Sequence, residues 1–477
     1  MNALLVILVA TAVVLFCIIR LKLHAVVSLL LAALVAALLT SPELLLNYAL
    51  HSGMSEPAAN AFSQASVGQR LANAFGSTSG KIGILIALAS VIGAGLMRSG
   101  GAERIVRGLM SLFGKNNTAI ALLTGSFTLA IPVFFDTVFY LMIPLIKSVS
   151  VRNPARFSLY LMVVCAGGVM AHSLVPPTPG PLFVAQEMGI DLGAMILGGI
   201  VIGIITVAAG YGYAVWANKK WDLPMRDTPD ISIGELKQFS EKNNHELPGL
   251  GISILPILLP VLLITGNTFS KMLKESNQDN LSAFQSGFVQ IFSVLGDANI
   301  ALFLSAMIAM FILWRQIRDV KSFQKYMTEA LSSAGMIILI TASGGAFGQM
   351  LQQTGIGIWV GEMASGYQVA LLPVAFMVTA LVRSAQGSAT VAMVTAMGVM
   401  SGVVSTGLPF HPVYLALAIG CGSKIFAWMN DSGFWIITKM SGMEVPETIR
   451  HFSMLMVVMA VTGLLAVMIF SVVLPFA

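Results

Sequence analysis

The chain has 477 residues, of which 57% are hydrophobic and only 10% charged, and its mean hydropathy is +0.87. Soluble domains carry roughly 25% charged residues, so this chain lacks the polar surface to cover a water-soluble fold. Its formal charge of +5 sits in short loops between apolar runs, which is the pattern of membrane topology and excludes a nucleic-acid partner as its explanation.

Long apolar runs read as spanning helices, and their continuous, non-alternating character excludes a β-barrel. In chain order, spans are expected at about 2–19, 25–41, 81–97, 158–188, 193–216, 249–266, 297–314, 332–350, 411–441 and 452–475. The first run has no basic stretch before it and no small-residue cleavage site after it, so it reads as a span and not as a signal peptide. Two further apolar stretches, 118–147 and 368–403, are too long and too interrupted for single helices and read as re-entrant hairpins. Spans 158–188 and 411–441 are overlong, and each holds a polar break: VPPTPGP at Val175–Pro181 and NDSGFW at Asn430–Trp435. With both stretches as hairpins, the basic clusters (Arg20 and Lys22; Arg98 to Lys115; Lys147 to Arg156; Lys219 to Arg226; Arg315 to Lys325) fall on one side, which is then cytoplasmic, and the exception on the other side is about 267–292, where Lys271 and Lys274 are balanced by acids. Both termini are expected to face the periplasm.

The breaks recur at one offset. A shift of 253 residues lays Leu88–Met97 on Thr341–Met350, Asp136-Thr137-Val138 on Ala389-Thr390-Val391, and VPPTPGP on the segment ending in NDSG. Each half then has five crossings and one hairpin, and an odd number of crossings inverts the second half. The expected fold is an all-α polytopic membrane protein of two inverted repeats with broken helices, the secondary-transporter pattern. The first repeat covers 1–217, a cytoplasmic linker 218–248, and the second repeat 249–477.

A broken helix frees backbone groups at membrane depth, which only protein or a wet cavity can satisfy. Half-helix N-termini favour anions. Arg383, deep in the second hairpin, has the fork that fits a carboxylate; pairing with an acid or snorkelling to the interface is its alternative. Ser384, Gln386, Ser388 and Thr390 could bond substrate hydroxyls. Asp136, with Thr137 beside it, is the one acid in the first hairpin; it could carry a proton, ligate a cation or pair with Arg383. Asp431, between Asn430 and Ser432, is a candidate for proton or sodium coupling, with Lys424 nearby as a counter-charge. His172 has a near-neutral reference pKa that suits proton coupling, although a packed core histidine is the commoner case. Ser90 and Ser343 lie in small-residue surroundings that suggest close helix packing. Cys17, Cys165 and Cys421 are scattered in apolar runs and indicate neither disulfides nor a metal site. No P-loop, HExxH or His/Cys ligand cluster is present, so an ATP-driven pump is not expected, nor a metal or other cofactor.

VPPTPGP with the following LFVAQEMGIDLG, TASGGAFGQMLQQTGIG, LVRSAQGSATVAM and the NDSGFW run resemble the gluconate:proton symporter (gluconate permease) family of the ion-transporter superfamily, over essentially the whole chain. The resemblance implies a transporter and not an enzyme: proton-coupled uptake of a sugar acid across the bacterial inner membrane, in a homodimer. It also implies an elevator mechanism, with a transport domain of hairpins and broken helices moving against a scaffold. It places Asp136, Thr137, Thr178, Ser384, Gln386, Ser388, Thr390, Asn430, Asp431 and Ser432 around the substrate. Gluconate-type members read PPHPGP at the first break, where this chain has Thr178. That departure makes a shorter acid, glycerate or a four-carbon aldonate, an alternative to gluconate. Sodium-coupled carboxylate or D-amino-acid transport, an anion channel, and the integral subunit of a sodium-pumping decarboxylase are the competing readings.

Overall fold

The computed structural model describes residues 3–114, 117–226, 247–276, 282–355, 370–404, 408, 410–428 and 431–475. Every element of more than one turn among them is helical. The first half runs α1 (Ala3–Ile19), α2 (Ala25–Leu39), α3 (Pro42–His51), α4 (Glu56–Ser63), α5 (Val67–Arg98), α6 (Gly101–Phe113), α7 (Thr118–Leu129), α8 (Phe135–Arg152), α9 (Phe157–Leu174), α10 (Pro179–Glu187) and α11 (Leu192–Lys220). The second runs α12 (Leu250–Ser276), α13 (Ala283–Leu295), α14 (Ala298–Ile317), α15 (Val320–Gln352), α16 (Leu371–Gln386), α17 (Ala389–Val404), α18 (Val413–Gly422), α19 (Ser432–Ser441), α20 (Val445–Thr448) and, after a π-helical turn, α21 (Met454–Val473).

Helix starts at 67, 118, 179 and 192 recur at 320, 371, 432 and 445, each 253 residues later. This is the offset at which the breaks align in the sequence. Local chemistry sets several of these starts. Ser66 caps α5 by accepting from the Gln69 N–H, Asp191 caps α11 by accepting from the Gly193 and Ala194 N–H groups, and Asp319 caps α15 by accepting from the Ser322 N–H. Pro179 opens α10 at its first turn, where its missing N–H costs nothing.

Seven of these segments are long and apolar enough to cross a membrane, and an eighth is reached if α2 and α3, bent by 98°, count as one. Several expected spans differ. The run at 81–97 is the second half of a 32-residue helix, and that at 332–350 the end of a 33-residue one. Polar residues hid their first turns from a search for apolar windows. The expected span at 411–441 is not one helix broken only at NDSGFW. α18 stops at Gly422, and Ser423–Trp428 is non-helical before α19 begins. Short helices α3, α4, α6 and α13 fall where loops were expected; α13 is marked by a capping box of Ser282 with Gln285. Most of the expected linker, 227–246, lies outside the described residues.

Both apolar stretches are helix–break–helix. Pro132 lies in the break between α7 and α8. Between α16 and α17, Gly387 takes a left-handed φ of 82°, which a residue with a Cβ adopts poorly. The second arm of each hairpin crosses to the other half: α8 packs on α19, and α17 on α10.

The centre is formed by α9 and α18. All of α9 except His172, and all of α18, is buried, as befits helices that are apolar on every side. The cysteines Cys17, Cys165 and Cys421 are buried and unpaired. In a bilayer the hydrophobic effect does not drive helices together, so close packing of small residues must. Gly167 of α9 shows this: a Cβ there would sit 2.4 Å from the Leu123 carbonyl of α7. On α5, Gly80 has nothing within 4 Å of a built Cβ. Gly167→Ala should therefore force α7 and α9 apart and cost about 1–3 kcal/mol, whereas Gly80→Ala should be neutral or stabilise by about 0.5–1 kcal/mol. Thermal unfolding of the two purified variants checks this, and equal midpoints would refute the packing argument.

Candidate functional site

Four helix N-termini meet at one cavity of about 250 Å³. Phe134–Asp136 at the start of α8, Pro179 at the start of α10, Ser388–Val391 around the start of α17, and Asp431 with Gly433 at the start of α19 all line it. The starts of α8, α17 and α19 bring first-turn backbone N–H groups, α10 opens on a proline that has none, and all four bring the positive end of a helix dipole, so the combined field favours an anion. The remaining wall includes His172, Ile337, Ile340, Phe452 and Met456.

The side-chain charges divide into a closed pair and an open pair. Arg383, in the last turn of α16, donates to the Asp431 carboxylate and to the Gly387 carbonyl. Asp431 is the N-cap of α19 and also accepts from the Gly433 N–H at 2.8 Å. Both side chains are nearly buried, at 5% and 11% exposure. The guanidinium is thus engaged by an acid, the alternative weighed for it, and Asp431 is engaged in turn. Lys424 is left with its charge uncommitted: it is 4% exposed, lines the cavity, and forms no ion pair or side-chain hydrogen bond with a described residue. Asp136, in the first turn of α8, faces the same space. A buried cation without a partner is costly, and one that lines a cavity can be satisfied by what enters it.

Of the residues expected from sequence, Asp136, His172, Arg383, Ser388, Thr390 and Asp431 line this cavity. His172 meets Phe134 edge-on at 5.8 Å, and its Nδ1 has no hydrogen-bond partner among the described residues. Three expected residues lie elsewhere. Thr137 turns away into a separate cavity. The Thr178 hydroxyl donates to the Val175 carbonyl at 2.7 Å and is spent within its own turn. The Ser384 hydroxyl donates back to Ala380 at 2.7 Å, while its carbonyl accepts from the Trp428 indole at 3.2 Å. Asn430 and the side chains of Gln386 and Ser432 lie outside the described residues. Lys424 gains importance, and Ile337, Ile340, Phe452 and Met456 are additions that no polar signal marked.

A family model described as GntP family permease matches residues 2–473. A Haemophilus influenzae protein named as an uncharacterized permease is 33% identical over 92% of this chain and 85% of its own length. A gluconate permease of Pseudomonas aeruginosa is 31% identical over 84% of this chain and 86% of its own. Among solved structures, Neisseria gonorrhoeae MtrF, reported as illuminating a class of antimetabolite efflux pumps, superposes with a TM-score of 0.55 at 15% identity over 85% of this chain and 84% of that one. At that identity the likeness is one of fold.

The Arg383–Asp431 pair can be tested directly. Asp431→Asn alone strands a buried guanidinium and should destabilise the protein by about 3–5 kcal/mol. Combining it with Arg383→Gln should recover much of that loss, because neither charge is then left alone. Thermal unfolding of both single variants and the double variant gives the coupling; strictly additive losses would refute the pairing.

Proposed function

We propose that this chain, which belongs to the GntP permease family, is a secondary active transporter that takes up a small hydroxy-carboxylate of the gluconate type together with a proton. It is a multi-pass membrane protein with relatives that are permeases and not enzymes. The observation that carries the reading is the cavity where four helix N-termini and the uncommitted Lys424 face one space. In this reading the substrate carboxylate takes Lys424 and the free N–H groups as partners. Ser388 and Thr390 read hydroxyls along its carbon chain, and Ile337, Ile340, Phe452 and Met456 bound the space that chain fills. Arg383 and Asp431 act as positioning residues, fixing the end of α16 against the start of α19.

Coupling follows from charge. An anion beside an ionised Asp136 is repelled, so the substrate is held best when Asp136 is protonated. Each turnover then moves carboxylate and proton together. His172, across the cavity, is the candidate relay. The matching helix starts at the 253-residue offset and the crosswise packing of α8 on α19 and of α17 on α10 support two inverted repeats and a transport unit that moves as one body. In that arrangement the unit slides against a scaffold of the remaining spans, in a homodimer in the inner membrane.

Uptake of labelled gluconate by the purified protein in liposomes tests the reading. A pH gradient alone should drive accumulation against the concentration gradient. Lys424→Gln should weaken binding by about a hundredfold, the loss expected for a charge-assisted pair of about 2–3 kcal/mol. Asp136→Asn should bind substrate and equilibrate it without accumulating it. Wild-type affinity in Lys424→Gln would remove the lysine from the site. Accumulation driven only by sodium would transfer coupling to the oxygens of the hairpin tips.

A further inference from the structure

The walls of the central cavity have two origins. Every ionisable or hydroxyl side chain that lines it belongs to a hairpin or a broken span. The long spans supply only apolar side chains: Ile337 and Ile340 from α15, Met456 from α21, and Phe452 from the π turn that joins α20 to α21. Polar groups recognise a carboxylate and hydroxyls. An apolar wall recognises neither, and fixes only how much carbon chain fits.

Phe452 is the side chain of that wall with the most particular placement. The segment Val445–Val473 matches α11 at the 253-residue offset, and both are 29 residues long. α11 is α-helical throughout. Its counterpart holds the π turn at Ile449–Ser453, where the Met454 N–H reaches back five residues to the Ile449 carbonyl. Turns of this kind are rare, and many mark functional sites. The position of α11 that matches Phe452 is Gly199, where a Cβ would sit 2.2 Å from the Leu174 carbonyl oxygen, so the first half has no room for a side chain there. The π turn is held by hydrogen bonds from its surroundings. The Tyr213 hydroxyl of α11 donates to the Arg450 carbonyl at 2.6 Å, His451 Nδ1 donates to the Glu447 carbonyl at 2.8 Å, and the Ser453 hydroxyl donates to the Ala427 carbonyl. Ala427 itself lines the cavity, in the same non-helical segment as Lys424. Phe452 is 3% exposed, so its ring is packed on its other sides, whereas Met456 is an unbranched, adaptable chain.

We infer that Phe452 sets the length of the hydroxy-carboxylate that the cavity accepts, and that Ser453 is the positioning residue that keeps the ring in place by tying the π turn to the segment carrying Lys424. With the carboxylate held at Lys424, the far end of the carbon chain meets the ring, and each added carbon needs space that the ring occupies. The substrate class rests on the proposed function; the length limit rests on the apolar wall, the π turn and its bond to Ala427.

The test is calorimetric titration of the purified full-length protein with a straight-chain series: glycerate, the four- and five-carbon aldonates, gluconate and a seven-carbon aldonate. Wild-type affinity should peak at one length and fall by about tenfold or more with one further carbon. Phe452→Ala should move the peak to a longer acid, and Phe452→Trp to a shorter one. Should Phe452→Ala fold poorly, Phe452→Leu is expected to give a smaller shift in the same direction. Ser453→Ala should lower the peak by about fivefold, as loss of one hydrogen bond predicts, and leave the shortest acid unchanged; Ser453→Thr, which keeps the hydroxyl, should restore it. A wild-type profile without a peak, a peak unmoved by the Phe452 variants, or a loss equal at every length would overturn the role of Phe452. A wild-type profile in Ser453→Ala would overturn that of Ser453. Lys424→Gln should weaken every acid about equally, and normal affinity there would overturn the carboxylate assignment alone. No binding of any acid to wild type would overturn both the proposed function and the length limit.

Discussion

A helix that starts inside a low-dielectric layer leaves backbone N–H groups that must find partners, and here four helix starts share one space. The rest of the site is arranged around that constraint. Unopposed, the four positive ends would favour any anion. Asp431 answers one of them as the N-cap of α19, and Asp136 stands at another. Arg383 joins the end of α16 to the start of α19, which ties a hairpin tip to a broken span. Lys424, without an ion pair among the described residues, faces the same space and is the charge proposed to meet a ligand's carboxylate.

Much of the architecture was legible because it is written in local chemistry. Proline and glycine mark the breaks at Val175–Pro181 and around Gly387, and the 253-residue spacing follows from them. The site was legible only in part. Which acid Arg383 meets depends on two segments 48 residues apart folding together, and no pattern within either segment specifies the partner. Lys424 looked like one residue of a continuous helix, whereas the helix ends at Gly422 and the lysine sits in the turn beyond it. Thr137 and Asp136 are adjacent in sequence but open into different cavities, because a helical turn points neighbours about 100° apart. Helices α3, α4, α6 and α13 escaped because they are short or mixed in polarity, and hydropathy windows are tuned to long apolar runs.

Ser90 and Ser343 show how the two halves share a plan without sharing chemistry. Each lies within a long helix among small residues, and sequence suggested packing for both. The expectation holds for Ser343, whose hydroxyl returns to its own helix and whose neighbour Gly345 touches Thr78 across the contact with α5. At Ser90 the matching surface opens into a cavity. Helix starts that match at one offset therefore do not force matching side-chain chemistry along the helices they open.

The burial of Cys17, Cys165 and Cys421 has a practical consequence. Thiols buried among apolar side chains are out of reach of water-soluble reagents, so the native chain offers such reagents little to modify. A cysteine introduced at a half-exposed position such as Arg98 or Ser333 would then be the dominant target. Fluorophores, spin labels or cross-linkers could report on the opening and closing of either cavity without first stripping the protein of its own cysteines.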